Sequence, residues 1–215
     1  MKSYVVIGLG KFGAAMALEL MALGNEVLAI DRQEELVQRI SGSVTDAVVA
    51  DAQDEEGLRS LGVRNYDCAV VAIGDDAAAS ILATLQLKEL GLPRVVCKAS
   101  DEMHRKALLK VGADKVVIPE KEMARRLARS VSSASVMDYI ELSDDYAMVE
   151  STAPGSWVGR NLVELNVRAK YGVAVIAFRR GGRFVISPNP NEPIQQGDIL
   201  VLLGSGEDLA RVPGR

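Results

Sequence analysis

Three glycines near the start of the chain have the spacing of a phosphate-binding turn. Gly8, Gly10 and Gly13 follow a short β-branched stretch, and an apolar helical run begins directly after them. In such a turn the first glycine makes the bend, the second lets the backbone approach a pyrophosphate, and the third lets the helix pack closely on the strand. The phosphates then bind to backbone N–H groups at the positive end of the helix. The pattern indicates a nucleotide site, provided that a strand and a helix flank it.

An acidic residue lies where this kind of site needs one. Asp31 ends the next apolar stretch, about 20 residues after the glycines, where a carboxylate accepts hydrogen bonds from ribose hydroxyls. It would repel a 2′-phosphate, which disfavours NADP. The other interpretation of Asp31 is a cap for the helix predicted at 33–40. We count Asp31 and its neighbour Arg32 among the candidate nucleotide-binding residues.

The elements that must position these residues alternate between strand and helix. Six short apolar stretches are each followed by a helical pattern, and they start near Tyr4, Glu26, Asp46, Cys68, Arg94 and Lys115. The alternation predicts an α/β fold with a parallel, doubly wound sheet and right-handed crossovers. In that fold the ligand crevice lies outside the carboxyl ends of the strands, between the first and the fourth.

Several small or polar side chains fall at those strand ends. The candidate nucleotide contacts are Asp51, Ala52, Ala72, Ile73, Gly74 and Lys98. Asp51 could accept a hydrogen bond from an adenine amino group, the small side chains could line the adenosine pocket, and Lys98 could balance phosphate charge. Each of them could instead have a packing or solvent-facing role at the end of its strand.

The composition limits the class of protein. Of 215 residues, 48% are apolar and only 4% are aromatic, so the core must be mainly aliphatic, as in a parallel sheet covered by helices. The net charge of −4 argues against a nucleic-acid partner, which would require a basic face. No apolar run approaches the roughly 20 residues that span a bilayer, and no signal-peptide pattern is present. Cys68 and Cys97 fall in predicted buried strands, and we expect a reducing, cytoplasmic location.

The pattern changes from about Val136. Alternating strands, a hairpin turn at Gly181 and Gly182, and little helix predict a second, smaller α+β domain with four strands. Arg179, Arg180 and Arg183 form a basic cluster, which we interpret as a solvated hairpin tip. The acidic pair Asp144 and Asp145 is interpreted as a polar turn rather than a metal site.

No recognisable reaction site accompanies the nucleotide motif. The single histidine, His104, falls in a predicted helix and is interpreted as a surface residue. Zinc-ligand spacing, a serine nucleophile and a Walker loop are missing from the sequence. Nucleotide-binding elements without a catalytic group favour a sensor, in which the ligand shifts a conformational equilibrium. Two alternatives stay open: an NAD-dependent oxidoreductase with an unrecognised substrate site, and an NAD(H)-binding redox sensor.

Five motifs together resemble those of the KtrA/TrkA-like regulatory subunits of bacterial potassium-uptake systems, the RCK-domain family. They are residues 6–13 (VIGLGKFG), 71–74 (VAIG), 112–114 (GAD), 118–123 (IPEKEM) and 166–172 (NVRAKYG). The resemblance covers the whole chain in order. It implies a Rossmann-type N-terminal RCK domain at 1–139, with a crossover helix at about 120–135, and a C-terminal RCK domain at 140–215.

The resemblance also implies a function and partners. Such subunits are not enzymes; they form homodimers that assemble into an octameric gating ring at the inner face of the membrane. The ring regulates K⁺ transport, or Na⁺-linked K⁺ transport, through a membrane-embedded K⁺-translocating subunit (KtrB/TrkH-like). ATP and ADP, or NAD(H) in some relatives, bind in the crevice and change the shape of the ring.

The same resemblance assigns roles to individual residues. Glu120 would help to hold a divalent cation, Mg²⁺ or Ca²⁺, beside the nucleotide phosphates and between subunits, as suits an oxygen ligand. Asp31 would bind the ribose. Lys11, next to Phe12 in the glycine turn, stands where such loops usually have arginine. A lysine offers a point charge to a neighbour's terminal phosphate, whereas an arginine offers a planar fork.

In some members of this family the second domain binds cyclic di-AMP at a dimer interface. Arg168, Val175 and Pro190 fall in the matching region of this sequence, whereas Ala174 stands where some of the binding relatives have a polar side chain. Cyclic di-AMP is therefore a further candidate ligand.

Overall fold

The computed structural model describes residues 1–132, 136–143 and 145–214 and divides the chain into two compact units. The first unit is Met1–Pro119 and the second is Glu120–Arg215. The domain boundary expected at 139/140, which assigns the crossover helix to the first domain, stays a prediction. The last three residues of that predicted helix, 133–135, and the predicted turn residue Asp144 lie outside the described residues.

The first unit contains the predicted doubly wound sheet. Across residues 1–119, all of them described, six parallel strands lie in the order β3-β2-β1-β4-β5-β6. They are β1 Ser3–Ile7, β2 Glu26–Asp31, β3 Asp46–Val49, β4 Cys68–Val71, β5 Val95–Lys98 and β6 Lys115–Val117. The helices are α1 Lys11–Ala22, α2 Glu34–Ile40, α3 Glu55–Ser60, α4 Ala77–Glu89 and α5 Glu102–Lys110, with 3-10 turns at Ser41–Ser43 and Val63–Asn65. The fold class and the switch point between the first and fourth strands are confirmed.

Aliphatic side chains fill both faces of this sheet, as the low aromatic content predicts. Val5 and Ile7 of β1 belong to one core cluster, and Val6 of the same strand belongs to another. Successive side chains of a strand point to opposite faces, so β1 is buried between two layers of helices. This is why its sequence is a continuous apolar run and not an alternating one.

Aspartates begin three of these helices. Asp54, Asp76 and Asp101 precede α3, α4 and α5, and each side chain accepts a hydrogen bond from a backbone N–H two or three residues later. This satisfies a donor that the first helical turn cannot pair with a carbonyl. The carboxylates also set where each loop at the strand ends stops and its helix begins.

The cysteines are buried and free. Burial raises the pKa of the Cys97 thiol to about 11, although the Thr84 hydroxyl, 3.3 Å from its sulfur, acts in the opposite direction. Burial raises the pKa of Cys68 as well. Both thiols are therefore protonated at neutral pH, and the prediction that both lie in buried strands is confirmed.

The second unit is built on an antiparallel sheet of order β10-β9-β11-β8-β7. Its described strands are β7 Val136–Glu141, β8 Tyr146–Thr152, β9 Ala174–Arg180, β10 Arg183–Ile186 and β11 Ile199–Ser205. The short helices are α7 Leu162–Leu165, α8 Val167–Tyr171 and α9 Gly206–Ala210, with a 3-10 turn at Gly155–Trp157. β7 is one strand more than the four predicted. The core includes Trp157 and Phe178, both almost fully buried.

Helix α6 (Pro119–Val131) is attached to this unit by its arginine face. Arg126 makes two hydrogen bonds with Asp138 of β7, at 2.9 and 2.6 Å, and Arg129 pairs with Glu141 at 2.6 Å. The guanidinium of Arg129 also lies 4.3 Å from the centre of the Tyr139 ring. No side chain described in α6 is buried, so its apolar face is left exposed.

The interpretation of the hairpin arginines as a solvated tip is wrong for two of the three. Arg180 binds the buried carboxylate of Asp198 through two hydrogen bonds, at 2.8 and 2.7 Å, and also contacts Glu192. The guanidinium holds the pKa of Asp198 below its usual range. Arg179 pairs with Glu150 at 3.1 Å. These carboxylates are remote in sequence, so a local reading of the hairpin could not identify them.

No helix in the described part of the chain combines the length and the apolar character needed to cross a bilayer.

Candidate nucleotide-binding site

The glycine turn has the geometry that its spacing predicts. Gly8 has a φ of +89°, and a Cβ there would lie 3.0 Å from the backbone nitrogen of Ile73. A Cβ at Gly13 would lie 1.8 Å from the carbonyl oxygen of Gly8, so the helix can pack against the turn only without a side chain. A Cβ at Gly10 would meet nothing within 4 Å. The open space lies where a pyrophosphate is expected.

The start of α1 suits an anion. No side chain caps the helix at Gly10, and its first turn contains no acidic residue. Lys11 is exposed in that turn and adds a positive charge. The partial positive charge of the helix end and the unpaired N–H groups of a first turn both favour phosphate here.

Asp31 connects the end of β2 with the glycine turn. One carboxylate oxygen accepts a hydrogen bond from the Leu9 N–H at 2.6 Å, and the other accepts from the Gln33 N–H at 2.8 Å. Gln33, and not Asp31, is the N-cap residue of α2, and no side chain caps that helix, so the cap interpretation of Asp31 is wrong. Its ribose role stays a prediction. The two bonds fix the carboxylate beside the turn, and each oxygen retains a lone pair that can accept from a ribose hydroxyl.

Lys98 approaches the glycine turn from the fifth strand. Its ammonium lies 5.8 Å from the centre of the Phe12 ring, and a Cβ at Gly74 would lie 3.3 Å from the Lys98 nitrogen. The cation thus lies near the end of β4 and the first turn of α1. This placement is compatible with the predicted counter-charge for phosphate.

The loop after β3 is held by a residue that sequence reasoning missed. Gln86 of α4 donates a hydrogen bond to the carbonyl of Gln53 at 2.7 Å, and Asp51 accepts one from the Gln53 N–H at 2.9 Å. Ala52 is buried in the core, whereas Asp51 is exposed. Asp51 is thus the accessible one of the two predicted adenine contacts. No local signal could have identified Gln86, because it lies 33 residues from its partner.

The end of β4 packs tightly on the turn. Ala72 is buried, and its N–H donates to the Ile7 carbonyl at 2.7 Å. A Cβ at Gly13 would lie 3.1 Å from the Ala72 Cβ. Ala72 therefore packs against the turn, whereas Ile73 is half-buried, and both close one wall of the crevice.

A second missed residue, Asp76, pairs with the predicted site residue Arg32. The Nη1 of Arg32 lies 4.0 Å from an Oδ of Asp76, and both side chains are partly exposed. An aspartate before a helical run is a cap signal, so its helix could be predicted from sequence. The pairing of Asp76 with Arg32 could not be predicted, because the two residues follow different strands of the sheet.

The remaining predicted site residues lie in the second unit. Glu120 is exposed in the first turn of α6, and Arg168 is exposed in α8. Val175 is half-buried in β9, and Pro190 is exposed, with its carbonyl accepting from the Val163 N–H at 3.3 Å. The roles predicted for these residues stay predictions.

His104 is buried, so its interpretation as a surface residue is wrong. It is 4% exposed, and its Nδ1 lies 3.3 Å from the backbone nitrogen of Ser100. Burial lowers its pKa, although Asp101 acts in the opposite direction. The neutral imidazole contacts the backbone just before α5, so His104 has a structural role.

The fold and the glycine turn together define an α/β unit of the doubly wound, Rossmann-like class, followed by a small antiparallel unit. Family models described as TrkA-N domain and TrkA-C domain match residues 4–119 and 147–212, respectively. The chain therefore belongs to the Ktr/TrkA family of potassium-uptake proteins.

Individual relatives agree with this assignment. The chain is 43% identical to Ktr system potassium uptake protein C of Bacillus subtilis (strain 168), over 100% of its own length and 97% of the relative's. It is 36% identical to Ktr system potassium uptake protein A of Vibrio alginolyticus, over 97% and 95%. These relatives are named as potassium-uptake proteins, which agrees with the non-enzymatic interpretation.

A solved structure shows the same fold. The GsuK channel bound to NAD superposes with a TM-score of 0.69 at 15% identity, over 97% of this chain and 38% of the channel chain.

Proposed function

We propose that this chain is the regulatory subunit of a potassium-uptake system, in which a nucleotide bound in the first unit controls ion flow through a membrane K⁺-translocating partner. The observation that carries this proposal is the start of α1, where the space over Gly10 is open and no side chain caps the helix. Relatives named for potassium uptake support the process. The chain would act at the cytoplasmic face of the membrane.

ATP and ADP are the proposed ligands. They differ by one phosphate, and the exposed Lys11 offers a positive charge that can distinguish them. Moving a two-state gate from mostly closed to mostly open takes roughly 5.5 kcal/mol of differential binding. In a ring with eight sites, as the family resemblance implies, each site would need to contribute less than about 1 kcal/mol. The attraction between one lysine and one additional charged phosphate is sufficient for that difference.

Helix α6 supports the proposed homodimer. Met123, Leu127 and Val131 recur at every fourth position, so they share one face of the helix, and they are 59%, 58% and 74% exposed. The opposite side is engaged with β7 through its arginines. We propose that a second copy covers this apolar face and that such dimers assemble into the octameric ring.

A divalent cation would have to be shared between copies. Across residues 1–132, 136–143 and 145–214, no three or more His, Cys, Asp and Glu side chains lie together as a metal site requires. Glu120 offers an exposed carboxylate, which suits Mg²⁺ or Ca²⁺ but is one ligand only. The cation would therefore be held by Glu120 from two chains and by phosphate oxygens, and it would supply neutralisation of the phosphate charge.

The cation proposal is tested with Glu120→Gln. We expect this variant to lose cation-dependent activation of K⁺ uptake in reconstituted vesicles, because the neutral amide is a poor ligand for the cation. It should retain nucleotide binding, because the residues of the glycine turn are unchanged. Glu122→Gln, in the same helical turn, is the matched control. Full Mg²⁺ and Ca²⁺ responses in the Glu120→Gln protein would show that the cation assignment is wrong.

The choice of nucleotide is tested by ligand-dependent unfolding. ATP, ADP, NAD⁺, NADH and cyclic di-AMP are compared with and without Mg²⁺. A ligand present at about 100 times its Kd stabilises the folded state by about 2.7 kcal/mol. Stabilisation by NADH alone would favour the redox-sensor alternative. Stabilisation by cyclic di-AMP would support a second ligand site near Arg168, Val175 and Pro190.

A further inference from the structure

Arg32 and Asp76 form an ion pair between the two halves of the first unit, at the carboxyl ends of its strands. Arg32 follows Asp31 at the end of β2, and Asp76 lies between the end of β4 and α4. The strand order reverses between β1 and β4, so this ion pair bridges the side of the crevice where the nucleoside is expected. The two charged groups are 4.0 Å apart.

Local structure holds both partners in place. One oxygen of Asp76 accepts a hydrogen bond from the Ala79 N–H at 2.9 Å, and the other oxygen faces Arg32. Asp31, which precedes Arg32, is fixed by its own two backbone hydrogen bonds. The side chains of Arg32 and Asp76 are 59% and 39% exposed, so a ligand can reach both.

The position of Arg32 is that of a residue which recognises a 2′-phosphate. In doubly wound domains the acid after the second strand binds the ribose 2′-hydroxyl, and an arginine near it accommodates a 2′-phosphate. A guanidinium binds phosphate with its planar fork of donors. Arg32 is adjacent to the predicted ribose ligand, but its charge is directed to Asp76.

We propose that Asp76 is a specificity-determining residue of the nucleotide site. By pairing with Arg32 it withholds this guanidinium from a 2′-phosphate and adds its own negative charge to the repulsion. Ligands with a free 2′-hydroxyl are therefore selected by Asp76 as well as by Asp31. The inference rests on the proposed function, because it requires an adenine nucleotide in this crevice.

The test uses Asp76→Asn in the full chain. Asparagine is a good helix cap, so the hydrogen bond from Ala79 can be retained while the charge is removed. Calorimetry with 5′-AMP and adenosine 2′,5′-bisphosphate measures the preference for a free 2′-hydroxyl. We expect the affinity for 5′-AMP to stay within about twofold and the affinity for the bisphosphate to rise about tenfold at low salt. The gain should shrink at high salt, because both groups are solvent-exposed.

Two controls separate this effect from a general change in charge. Asp75→Asn removes the adjacent exposed carboxylate and should leave the preference nearly unchanged. Arg32→Gln, added to Asp76→Asn, should abolish the gain. If Asp76→Asn behaves like Asp75→Asn, or if the gain survives Arg32→Gln, the proposal is wrong while 5′-AMP binding still supports the nucleotide site. If the wild-type chain binds neither compound, the nucleotide site itself is wrong, and this proposal falls with it.

Discussion

Gly10 and Gly13 have different roles in the same turn. A methyl group at Gly13 would collide with the Gly8 carbonyl, whereas one at Gly10 would enter open space. Gly13 is therefore required by the fold, and Gly10 is required by the ligand. Their shared spacing in the sequence does not reveal this difference, but the structure separates the two roles.

We expect Gly13→Ala to lower both the stability of the first unit and its nucleotide affinity, because α1 must move away from β1. Overpacking of this kind costs about 1–3 kcal/mol. Gly10→Ala should change stability by less than about 1 kcal/mol, since only the cap preference is altered. It should still weaken ATP binding at least tenfold. Chemical denaturation and calorimetry on both variants check this; equal loss of stability in the two would contradict the separation of roles.

At the scale of elements, Arg180 fastens strand β9 to the loop that leads into β11. Its guanidinium contacts Asp198, Glu192 and the carbonyl of Pro193, which lies 3.2 Å away. Asp198 is 1% exposed and also accepts from the Gln195 N–H at 2.8 Å. Because the Asp198 carboxylate is buried, water cannot take the place of Arg180 as its partner. The loop therefore depends on this charged pair.

We expect Asp198→Asn to destabilise the second unit by about 2–3 kcal/mol at neutral pH, because a buried arginine contact loses its charge partner. The pKa of Asp198 is lowered in the folded state, so its stabilisation is present above its ordinary pKa of about 3.9 and is lost as the pH falls through the lowered value. The difference between wild type and variant should therefore shrink in acid. Denaturation curves from pH 7 to pH 3 provide the measurement, with Glu150→Gln as control; a constant difference would contradict the assignment.

Elements that depend on local spacing could be predicted from the sequence. The six strands, the glycine turn and the capping aspartates follow from apolar runs, glycine positions and acids before helices. The contacts of Arg180, Gln86 and Arg32 could not, because their partners are set by which strands become neighbours. His104 shows the same limit, since α5 packs against α4 and β6, and only that packing decides which face of the helix is buried.

At the scale of the whole molecule, the proposed homodimer would bury the exposed apolar face of α6. We expect Leu127→Gln to raise the dimer dissociation constant by on the order of tenfold or more, because burial of a leucine stabilises by about 1.5–3 kcal/mol. The stability of the monomer should stay within about 0.5 kcal/mol, since the side chain is already exposed. Sedimentation at several concentrations measures the association.

The control for this variant is Leu109→Gln, a comparably exposed leucine on α5. It should leave the association unchanged. If both substitutions weaken the dimer equally, or if neither does, α6 is not the contact between copies.

The buried thiols of Cys68 and Cys97 provide a natural probe of how often the first unit opens. A reagent that attacks thiolates cannot modify them until the sheet opens, because both side chains are buried and their pKa values are raised. The rate of labelling then reports how often strands β4 and β5 separate from their covering helices. Both strands end at the crevice. A nucleotide that binds there should therefore lower the labelling rate in proportion to its binding. Untagged protein and a mass spectrometer are then enough to rank the ligands.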